Sequence, residues 1–285
     1  MKHLSSETEL AIFAEQIRIE TLKELKARGF GHVGGCMSVV ETLAVLYGNE
    51  MQYDPLNPKD PDRDWLVISK GHAGPALYAT LALCGFFPKE LLASLNQNGT
   101  SLPSHCDRNL TPGVDMTTGS LGQGMSTALG VALGNKRDGR SSYTYLIIGD
   151  GECDEGQIWE GALFAPQFKL DHLILFVDYN KKQLDGTTAS VLDLGDIDKK
   201  FEAFQWHVQR INGHDIAAIE NAIEVAKATE NKPSVIVLDT IKGHGCGFAE
   251  NAAANHHMNM DPALTDAAIA LSEEKIRALS EGGIA

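Results

Sequence analysis

The residues best suited to chemistry in this 285-residue chain are an aspartate and an asparagine that each follow an apolar run. Asp150 stands between two glycines after the run 143–148, and Asn180 comes just after the next run, 173–177. In a parallel sheet the strands end at one edge, where ligands bind, so we expect both side chains in one crevice. Their oxygens suit Mg²⁺, or Ca²⁺ or Mn²⁺ in its place, once diphosphate oxygens, water and a backbone carbonyl complete the coordination. The pattern therefore predicts a site for a metal-bound diphosphate.

Two further features of this segment favour a phosphate ligand. The glycines beside Asp150 let the backbone approach a bulky polyanion, and free N–H groups at the start of the following helix attract phosphate. Alone, Gly-Asp-Gly could be a simple turn and Asn180 a loop residue, but their spacing of about thirty residues across a strand–helix–strand unit argues against chance. A nucleotide-binding crossover is the other alternative, and no GxGxxG or GxxxxGK(S/T) motif follows any predicted strand.

The elements that must position these residues alternate between short apolar strands and helices. Continuously apolar strands indicate a parallel sheet covered on both faces, so the sequence predicts an α/β fold with three α/β/α layers and a mostly parallel central sheet. A capping box at Ser6 to Glu9 and a terminal Gly29 bound the first predicted helix. The other predicted elements are strands at 65–68, 143–148, 173–177, 208–211 and 235–239, helices at 38–47, 74–84, 88–96, 123–136, 157–168, 216–229 and 261–282, a Gly-rich loop at 31–35 and an irregular stretch at 98–119.

Composition and charge limit the classes of function. Hydrophobic residues make up 43% of the chain and the net charge is −14, so we expect a globular core and no nucleic-acid partner, since no basic run is present. No apolar segment has the length of a signal peptide or a membrane span, so no membrane contact is expected. The five cysteines contain no CxxC pair and predict free thiols in the cytoplasm. Residues 1–285 are expected to form a single domain with helical additions at both termini.

Several motifs resemble those of the thiamine-diphosphate enzymes, whose signature is Gly-Asp-Gly followed about thirty residues later by Asn. More narrowly, the chain resembles the N-terminal half of transketolase. The matching segments run in order along most of the chain: Gly31–Gly35, Ser69–Ala73, Pro112–Asp115, Thr117–Gly124, Gly149–Gly151 with Glu155 and Gly156, and Asp178–Gly186. The resemblance implies the thiamine-diphosphate-binding fold of the diphosphate-holding (PP) type, without the family's pyrimidine-binding and C-terminal domains.

The resemblance also implies roles for individual residues. Asp150 and Asn180 would be metal ligands, with the backbone carbonyl of Lys182 as the third. The residues implied to line thiamine diphosphate are His72, Gly119, Leu121, Asp150, Gly151, Glu155 and Asn180, with Glu155 near the diphosphate. The histidines implied at the reacting centre are His32, His72, His105 and His256. Histidine suits this role because breaking and forming a sugar C–C bond needs proton donors and acceptors that work near neutral pH.

The late part of the chain departs from the family pattern. The family has Trp before the active-site His, whereas this chain has Asn255, and Met258 to Met260 follow the pair His256 and His257. The alignment favours His256 as the matching residue, and His257 remains an alternative. No third ligand at zinc-like spacing accompanies the pair, so a dedicated metal site is not expected there. Four other ionisable residues are interpreted as structural, surface or helix-start groups: His214, His244, Glu152 and Asp154.

Together these features predict one subunit of a split transketolase. The expected reaction transfers a two-carbon ketol (glycolaldehyde) unit from a ketose, phosphorylated or otherwise modified, to an aldose. Because the chain stops after its first α/β domain, we expect a separate pyrimidine-binding chain as its partner in an α₂β₂ heterotetramer. Two alternatives stay open. One is a subunit of another thiamine-diphosphate enzyme, such as a 2-oxo acid dehydrogenase or a deoxyxylulose-phosphate synthase, and the other is a non-catalytic homologue that binds the cofactor.

Overall fold

A five-stranded parallel sheet organises the chain, for which the computed structural model describes residues 3–282. The described strands are β1 (Phe30–Gly31), β2 (Trp65–Ile68), β3 (Thr144–Gly149), β4 (Leu173–Tyr179), β5 (His207–Asn212), β6 (Ser234–Asp239) and β7 (Met258–Asn259). The order in the sheet is β2-β3-β4-β6-β5, and each neighbouring pair is parallel. Strands β1 and β7 form a separate antiparallel pair. The predicted parallel sheet is confirmed.

Helices cover both faces of the sheet. The described α-helices are α1 (Glu7–Arg28), α2 (Val33–Met37), α3 (Val40–Val45), α4 (Gly74–Leu83), α5 (Gln123–Arg137), α6 (Gly156–Gln167), α7 (Thr188–Val191), α8 (Ile197–Ala203), α9 (Ile216–Lys227), α10 (Gly247–Glu250) and α11 (Pro262–Ser280). Short 3₁₀-helices lie at Gly71–Ala73, Lys89–Ser94 and Gly151–Asp154, and a π-helix lies at Leu46–Glu50. Within residues 3–282, no helix has the length and apolar character needed to cross a membrane.

Alternate side chains of the central strands enter two different cores. In β3, Tyr145 and Ile147 belong to the core formed with α1, α3, α4 and α9, whereas Leu146 and Ile148 belong to the core formed with α5, α6 and α8. All four side chains are fully buried. A strand that is apolar on both faces is what a sheet between two helical layers requires. The three-layer α/β/α arrangement predicted from the sequence is therefore confirmed.

The first helix begins and ends as its sequence predicts. The N–H of Glu9 donates to the Ser6 hydroxyl oxygen at 3.2 Å, and the Glu9 carboxylate accepts from the N–H of Ser6. At the other end Gly29 has a φ of +89°. Glycine reaches this left-handed conformation without a steric penalty, so it ends the helix cleanly.

The sequence predicts a Gly-rich loop at 31–35. In the structure this segment becomes helical from Val33. Its glycines are needed for close packing. A Cβ on Gly34 would meet the backbone oxygen of Asn255 at 2.2 Å. The loop prediction was wrong from Val33 onward, because here glycine lets a helix and a distant segment pack closely.

Two predicted helices also differ from expectation. The helix predicted at 38–47 is divided between α3 and the π-helix that follows it. The helix predicted at 88–96 is a 3₁₀-helix, Lys89–Ser94. There the hydroxyl of Ser94 donates to the carbonyl of Leu91 at 2.7 Å. Such a local side-chain bond competes with continuation of an α-helix.

Candidate functional site

A cavity of about 240 Å³ lies at the carboxyl ends of β3 and β4, where the sequence predicts a ligand. Its lining residues are His32, Gly35, Lys70, His72, His105, Gly119, Leu121, Gly149, Asp150, Gly151, Glu152, Asn180, Lys182, Gln183, Leu184, Lys242 and His256. Every predicted site residue except Glu155 is among them. The segments that carry the predicted residues are far apart in sequence, and the sheet brings them together.

The predicted metal ligands Asp150, Asn180 and the Lys182 carbonyl lie just beyond β3 and β4, and we call them the ligand wall. The Asp150 carboxylate accepts from the N–H of Gly151 at 2.7 Å and from the N–H of Lys181. Asn180 is buried, and its Oδ1 accepts from the N–H of Lys182 at 3.1 Å. Lys181 has a φ of +65°, which turns the chain sharply. The turn brings a carboxylate, an amide and a carbonyl to one side of the cavity.

The ligand wall fits a hard divalent cation. Its three candidate ligand atoms are oxygens, which Mg²⁺ and Ca²⁺ prefer. Burial, together with the neighbouring Asp178 carboxylate, raises the pKa of Asp150 to about 7. A carboxylate whose charge is so poorly compensated is stabilised by a nearby cation. The residues present therefore suit the predicted metal both in chemistry and in charge.

Behind the ligand wall lies a buried ion pair, Lys70 and Asp178, that the sequence did not reveal. Asp178 is fully buried and accepts from the hydroxyls of Ser38 and Thr240 at 2.7 and 2.5 Å. Burial alone would raise its pKa, but the Lys70 ammonium and these donors lower it instead. The Nδ2 of Asn180 donates to Asp178 at 3.0 Å. The ion pair thus orients a predicted metal ligand.

Lys242 is a second buried lysine that sequence reasoning missed. Its Nζ donates to the carbonyl of Lys182 at 2.9 Å and lies 3.1 Å from Nδ1 of His256. Burial and the Lys70 ammonium lower the pKa of Lys242 to about 8, although Asp150 acts in the opposite direction. This lysine connects the ligand wall with the histidines.

The four predicted histidines form one cluster. The ring centroid of His32 lies 5.4 Å from that of His72, 5.6 Å from that of His105 and 5.4 Å from that of His256. Burial and neighbouring histidines lower the pKa of His32 to about 4, and burial and Lys242 lower that of His256 to about 3. Both rings are therefore neutral at pH 7, and a neutral imidazole has one nitrogen that donates a proton and one that accepts.

His257, the alternative to His256, lies beside this cluster. Its ring is exposed and its centroid is 4.8 Å from that of His32. It is absent from the described lining of the cavity, whereas His256 is part of it. The placement favours His256 as the active-site residue.

Comparison with known proteins identifies the family. The model described as "Transketolase, thiamine diphosphate binding domain" matches residues 10–276. The chain belongs to the transketolase family. It is 54% identical over 262 residues to the 6-deoxy-6-sulfo-D-fructose transketolase subunit SqwG from a Clostridium species, a match covering 92% of this chain and 95% of the relative. It is 39% identical to one of the subunits of an apulose-4-phosphate transketolase from Actinobacillus succinogenes, covering 80% and 82% of the two chains.

Solved transketolase structures have the same fold. A crystal structure of transketolase from Pichia stipitis superimposes with a TM-score of 0.85 at 27% sequence identity and covers 97% of this chain. The match covers 46% of that structure's chain, so this chain spans about half the length of a full-length transketolase. The matched part is the N-terminal half, and both the predicted family and the predicted fold are confirmed.

Two of the segments that match transketolase, Ser69–Ala73 and Thr117–Gly124, pack against each other beside the cavity. A Cβ on Gly71 would meet the hydroxyl oxygen of Thr118 at 2.8 Å, so Ser69–Ala73 needs glycine at this position. Gly119 has a φ of +148°, and a Cβ on it would touch the ring of His105 at 3.4 Å. Gly119 and Leu121, both predicted to line the cofactor, line the cavity together with the histidines.

Two glutamates of this transketolase chain, Glu152 and Glu155, are close in sequence but lie in different environments. Glu155, predicted near the diphosphate, precedes α6 and does not line the described cavity. Glu152, interpreted from sequence as a loop or helix-start charge, is buried instead. It accepts from the Ser69 hydroxyl and from the N–H groups of Gly122 and Gly149 at 2.8 and 3.1 Å. Glu152 does stand in the first turn of the 3₁₀-helix Gly151–Asp154, but the expectation of a solvated loop charge was wrong, because its partners come from separate segments that only the fold brings together.

Proposed function

We propose that this chain is the diphosphate-binding subunit of a two-chain transketolase that uses thiamine diphosphate and Mg²⁺. With a separate pyrimidine-binding chain it would form a cytoplasmic α₂β₂ enzyme that transfers a two-carbon ketol unit from a ketose to an aldose. The cavity that joins the ligand wall to four histidines is the observation that carries the proposal. The two-chain arrangement is supported by the relative SqwG, which is named as one subunit of its enzyme and is covered to 95%. The five unpaired, buried cysteines agree with a reducing compartment.

In this proposal the ligand wall holds the diphosphate end of the cofactor. Asp150, Asn180 and the Lys182 carbonyl would bind the metal, and Lys242 would add positive charge beside the phosphate oxygens. A Cβ on Gly151 would meet the side chain of Gln183 at 2.8 Å, so only glycine lets these two parts of the cavity wall come so close. Bound thiamine diphosphate would supply the carbon nucleophile for ketol transfer.

The histidine cluster would serve the sugar. When the Lys242 ammonium donates to Nδ1 of His256, the ring proton must be on Nε2, so His256 presents a donor for a sugar oxygen. The depressed pKa of His32 keeps that ring unprotonated at neutral pH, so it can accept a proton from a sugar hydroxyl. Together the two rings would supply the donor and the acceptor that C–C bond cleavage requires.

We propose 6-deoxy-6-sulfo-D-fructose as the ketose donor. The relative named for that sugar is 54% identical to this chain over nearly its whole length, whereas a relative named for apulose 4-phosphate is 39% identical. These two relatives are named for different sugars. This is usual among proteins of one fold whose specificity is set by a few residues of a shared site.

Ketol transfer by purified proteins tests this proposal. The chain would be assayed alone and with its candidate pyrimidine-binding partner, in the presence of thiamine diphosphate, Mg²⁺ and an aldose acceptor. The donors are 6-deoxy-6-sulfo-D-fructose, fructose 6-phosphate and apulose 4-phosphate. We expect transfer only by the pair, and fastest from the sulfonated sugar.

Two outcomes would contradict the proposal in different ways. Robust transfer by the isolated chain would disprove the two-chain arrangement. Decarboxylation of pyruvate by the pair, without transfer from any ketose, would indicate another class of thiamine-diphosphate enzyme. An Asp150→Ala variant in the active pair serves as the negative control, because it removes the only carboxylate of the ligand wall.

A further inference from the structure

The side chain of Lys242 bridges two separate parts of the cavity. Lys242 follows the end of β6 and is buried. Its Nζ donates to the carbonyl of Lys182 at 2.9 Å and lies 3.1 Å from Nδ1 of His256. The first partner belongs to the ligand wall and the second to the histidine cluster. One amino group therefore contacts both the candidate metal site and the candidate reacting centre.

Packing determines where this amino group lies. A Cβ on Gly34 would meet Cγ of Lys242 at 3.0 Å, so the glycine leaves room for the stem of the lysine. The backbone carbonyl of Lys242 accepts from Nδ2 of Asn255 at 2.9 Å, and Asn255 is buried. Since Asn255 directly precedes His256, this bond ties the segment of the histidine to that of the lysine. The residue that replaces the family's Trp thus holds the two side chains next to each other.

The charge of Lys242 decides where His256 carries its proton. Burial and the Lys70 ammonium lower the pKa of Lys242 to about 8, so the side chain is an ammonium at pH 7. An ammonium has three N–H donors and no acceptor, so a ring nitrogen that it contacts must accept. Two of the donors serve Lys182 and His256. The third can donate to an oxygen of a bound diphosphate.

We propose that Lys242 is a positioning residue through which the ligand wall sets the proton of His256. The group that helps to hold the diphosphate then also prepares the proton donor for the sugar. The link to ketol transfer rests on the proposed function, whereas the location of the ring proton does not. Loss of Lys242 should therefore change two properties, cofactor affinity and the tautomer of His256. Loss of the His256 ring should leave cofactor affinity unchanged.

The ring proton can be located in the isolated chain by NMR with ¹⁵N-labelled histidine at pH 7, where a protonated ring nitrogen and a bare one have very different shifts. His256→Gln identifies the signals of this ring. We expect a single Nε2–H tautomer in the wild type and a measurable Nδ1–H population in Lys242→Met, which keeps the stem but has no donor. Lys242→Arg should restore the wild-type tautomer. An Nδ1–H ring in the wild type, or an unchanged ring in Lys242→Met, would refute the proposal.

Lys136→Met is the matched control for this measurement. The ammonium of Lys136 also donates to a backbone carbonyl, that of Lys169, and it pairs with Asp171 at 2.9 Å. These partners precede β4, whereas the cavity lies beyond the other end of that strand. The tautomer of His256 in this variant should equal that of the wild type.

Calorimetry of thiamine diphosphate in excess Mg²⁺ tests the other half of the role. We expect Lys242→Met to weaken binding about tenfold, because it removes a charge-assisted hydrogen bond to the diphosphate. His256→Gln should bind within about twofold of the wild type, since the contact of Lys242 with the ligand wall does not need the ring. Equal weakening in both variants, or none in Lys242→Met, would contradict the proposal. A wild-type pair that transfers no ketol from any sugar would refute the proposed function, and the tautomer and affinity results would still decide the role of Lys242.

Discussion

At the residue scale, the buried pair Lys70 and Asp178 should have a large effect on stability. Both side chains are almost completely buried, so removing one charge leaves the other uncompensated. We expect Lys70→Met and Asp178→Asn each to lower the free energy of unfolding by about 3–5 kcal/mol. The double variant should lose less than the sum of the two, since no isolated charge remains. Urea unfolding of the wild type, the two single variants and the double variant measures the four free energies of unfolding. If the losses in the two single variants simply add up in the double variant, the two charges are not coupled.

A second buried network joins Arg18, Glu41, His214 and His244. Arg18 donates to one oxygen of Glu41, and Nδ1 of His214 lies 3.1 Å from the other. The rings of His214 and His244 stack with centroids 3.7 Å apart. The N–H of Ile241 donates to Nε2 of His214 at 2.9 Å, so the ring proton is held on Nδ1, facing Glu41. With that nitrogen protonated, the cluster is a structural network and not a metal site.

This network makes stability depend on acid pH. Burial alone would raise the pKa of Glu41, but Arg18 and His214 outweigh it and lower the pKa from 4.5 to about 2. A carboxylate whose pKa is lower in the folded state stabilises the protein above pH 4.5, and this contribution is lost as the pH falls towards 2. It amounts to about 3 kcal/mol. Urea unfolding between pH 7 and pH 3 should show a weaker pH dependence in Glu41→Gln than in the wild type.

The matched control for this prediction is the exposed Glu273 on α11. Glu273→Gln should follow the wild-type pH profile, because its carboxylate is surrounded by water in both states. A Glu41→Gln variant with the same pH dependence as the wild type would contradict the prediction.

At the element scale, two glycines of helix α5 should respond to alanine in opposite ways. A Cβ on Gly124 would meet the Ser69 hydroxyl oxygen at 2.2 Å and the Ser69 Cα at 2.9 Å, whereas a Cβ on Gly130 would meet nothing within 4 Å. Gly130→Ala should stabilise the chain by about 0.5–1 kcal/mol. Gly124→Ala should cost about 1–3 kcal/mol, because it separates α5 from the end of β2. Thermal unfolding measures both, and a stabilising Gly124→Ala would contradict the packing.

An element could be predicted from the sequence when its own residues determine it, and not when it depends on contacts with distant segments. The central strands were predictable because each is a short, continuously apolar run, and the long helices because apolar residues recur at helical spacing in their sequence. The helical start at Val33 was not, because it depends on contact with a segment more than two hundred residues away. The same limit applies to the site: Asp150 and Asn180 stand in recognisable motifs, whereas the partner of Lys70 lies 108 residues along the chain. Charge compensation between distant segments has no local pattern.

At the scale of the whole molecule, the cavity depends on the complete fold. Its lining runs from His32 to His256, and the two hydrophobic cores on opposite faces of the sheet hold these segments in register. A ligand that binds only the assembled cavity stabilises the entire chain, because unfolding must release it. Stability therefore reports on cofactor binding without any need for turnover.

Thiamine diphosphate and Mg²⁺ together should raise the Tm of this chain, even without a partner. At about 100 times the dissociation constant, the added free energy of unfolding is about 2.7 kcal/mol, which corresponds to several degrees. Either ligand alone should have less effect, because in the proposed site Asp150 would hold the diphosphate through the metal. Asp150→Asn should lose the response, and Asp62→Asn, at an exposed site, should keep it. An equal increase in Tm with thiamine diphosphate and no divalent cation, retained in Asp150→Asn, would show that the ligand wall does not act through a metal.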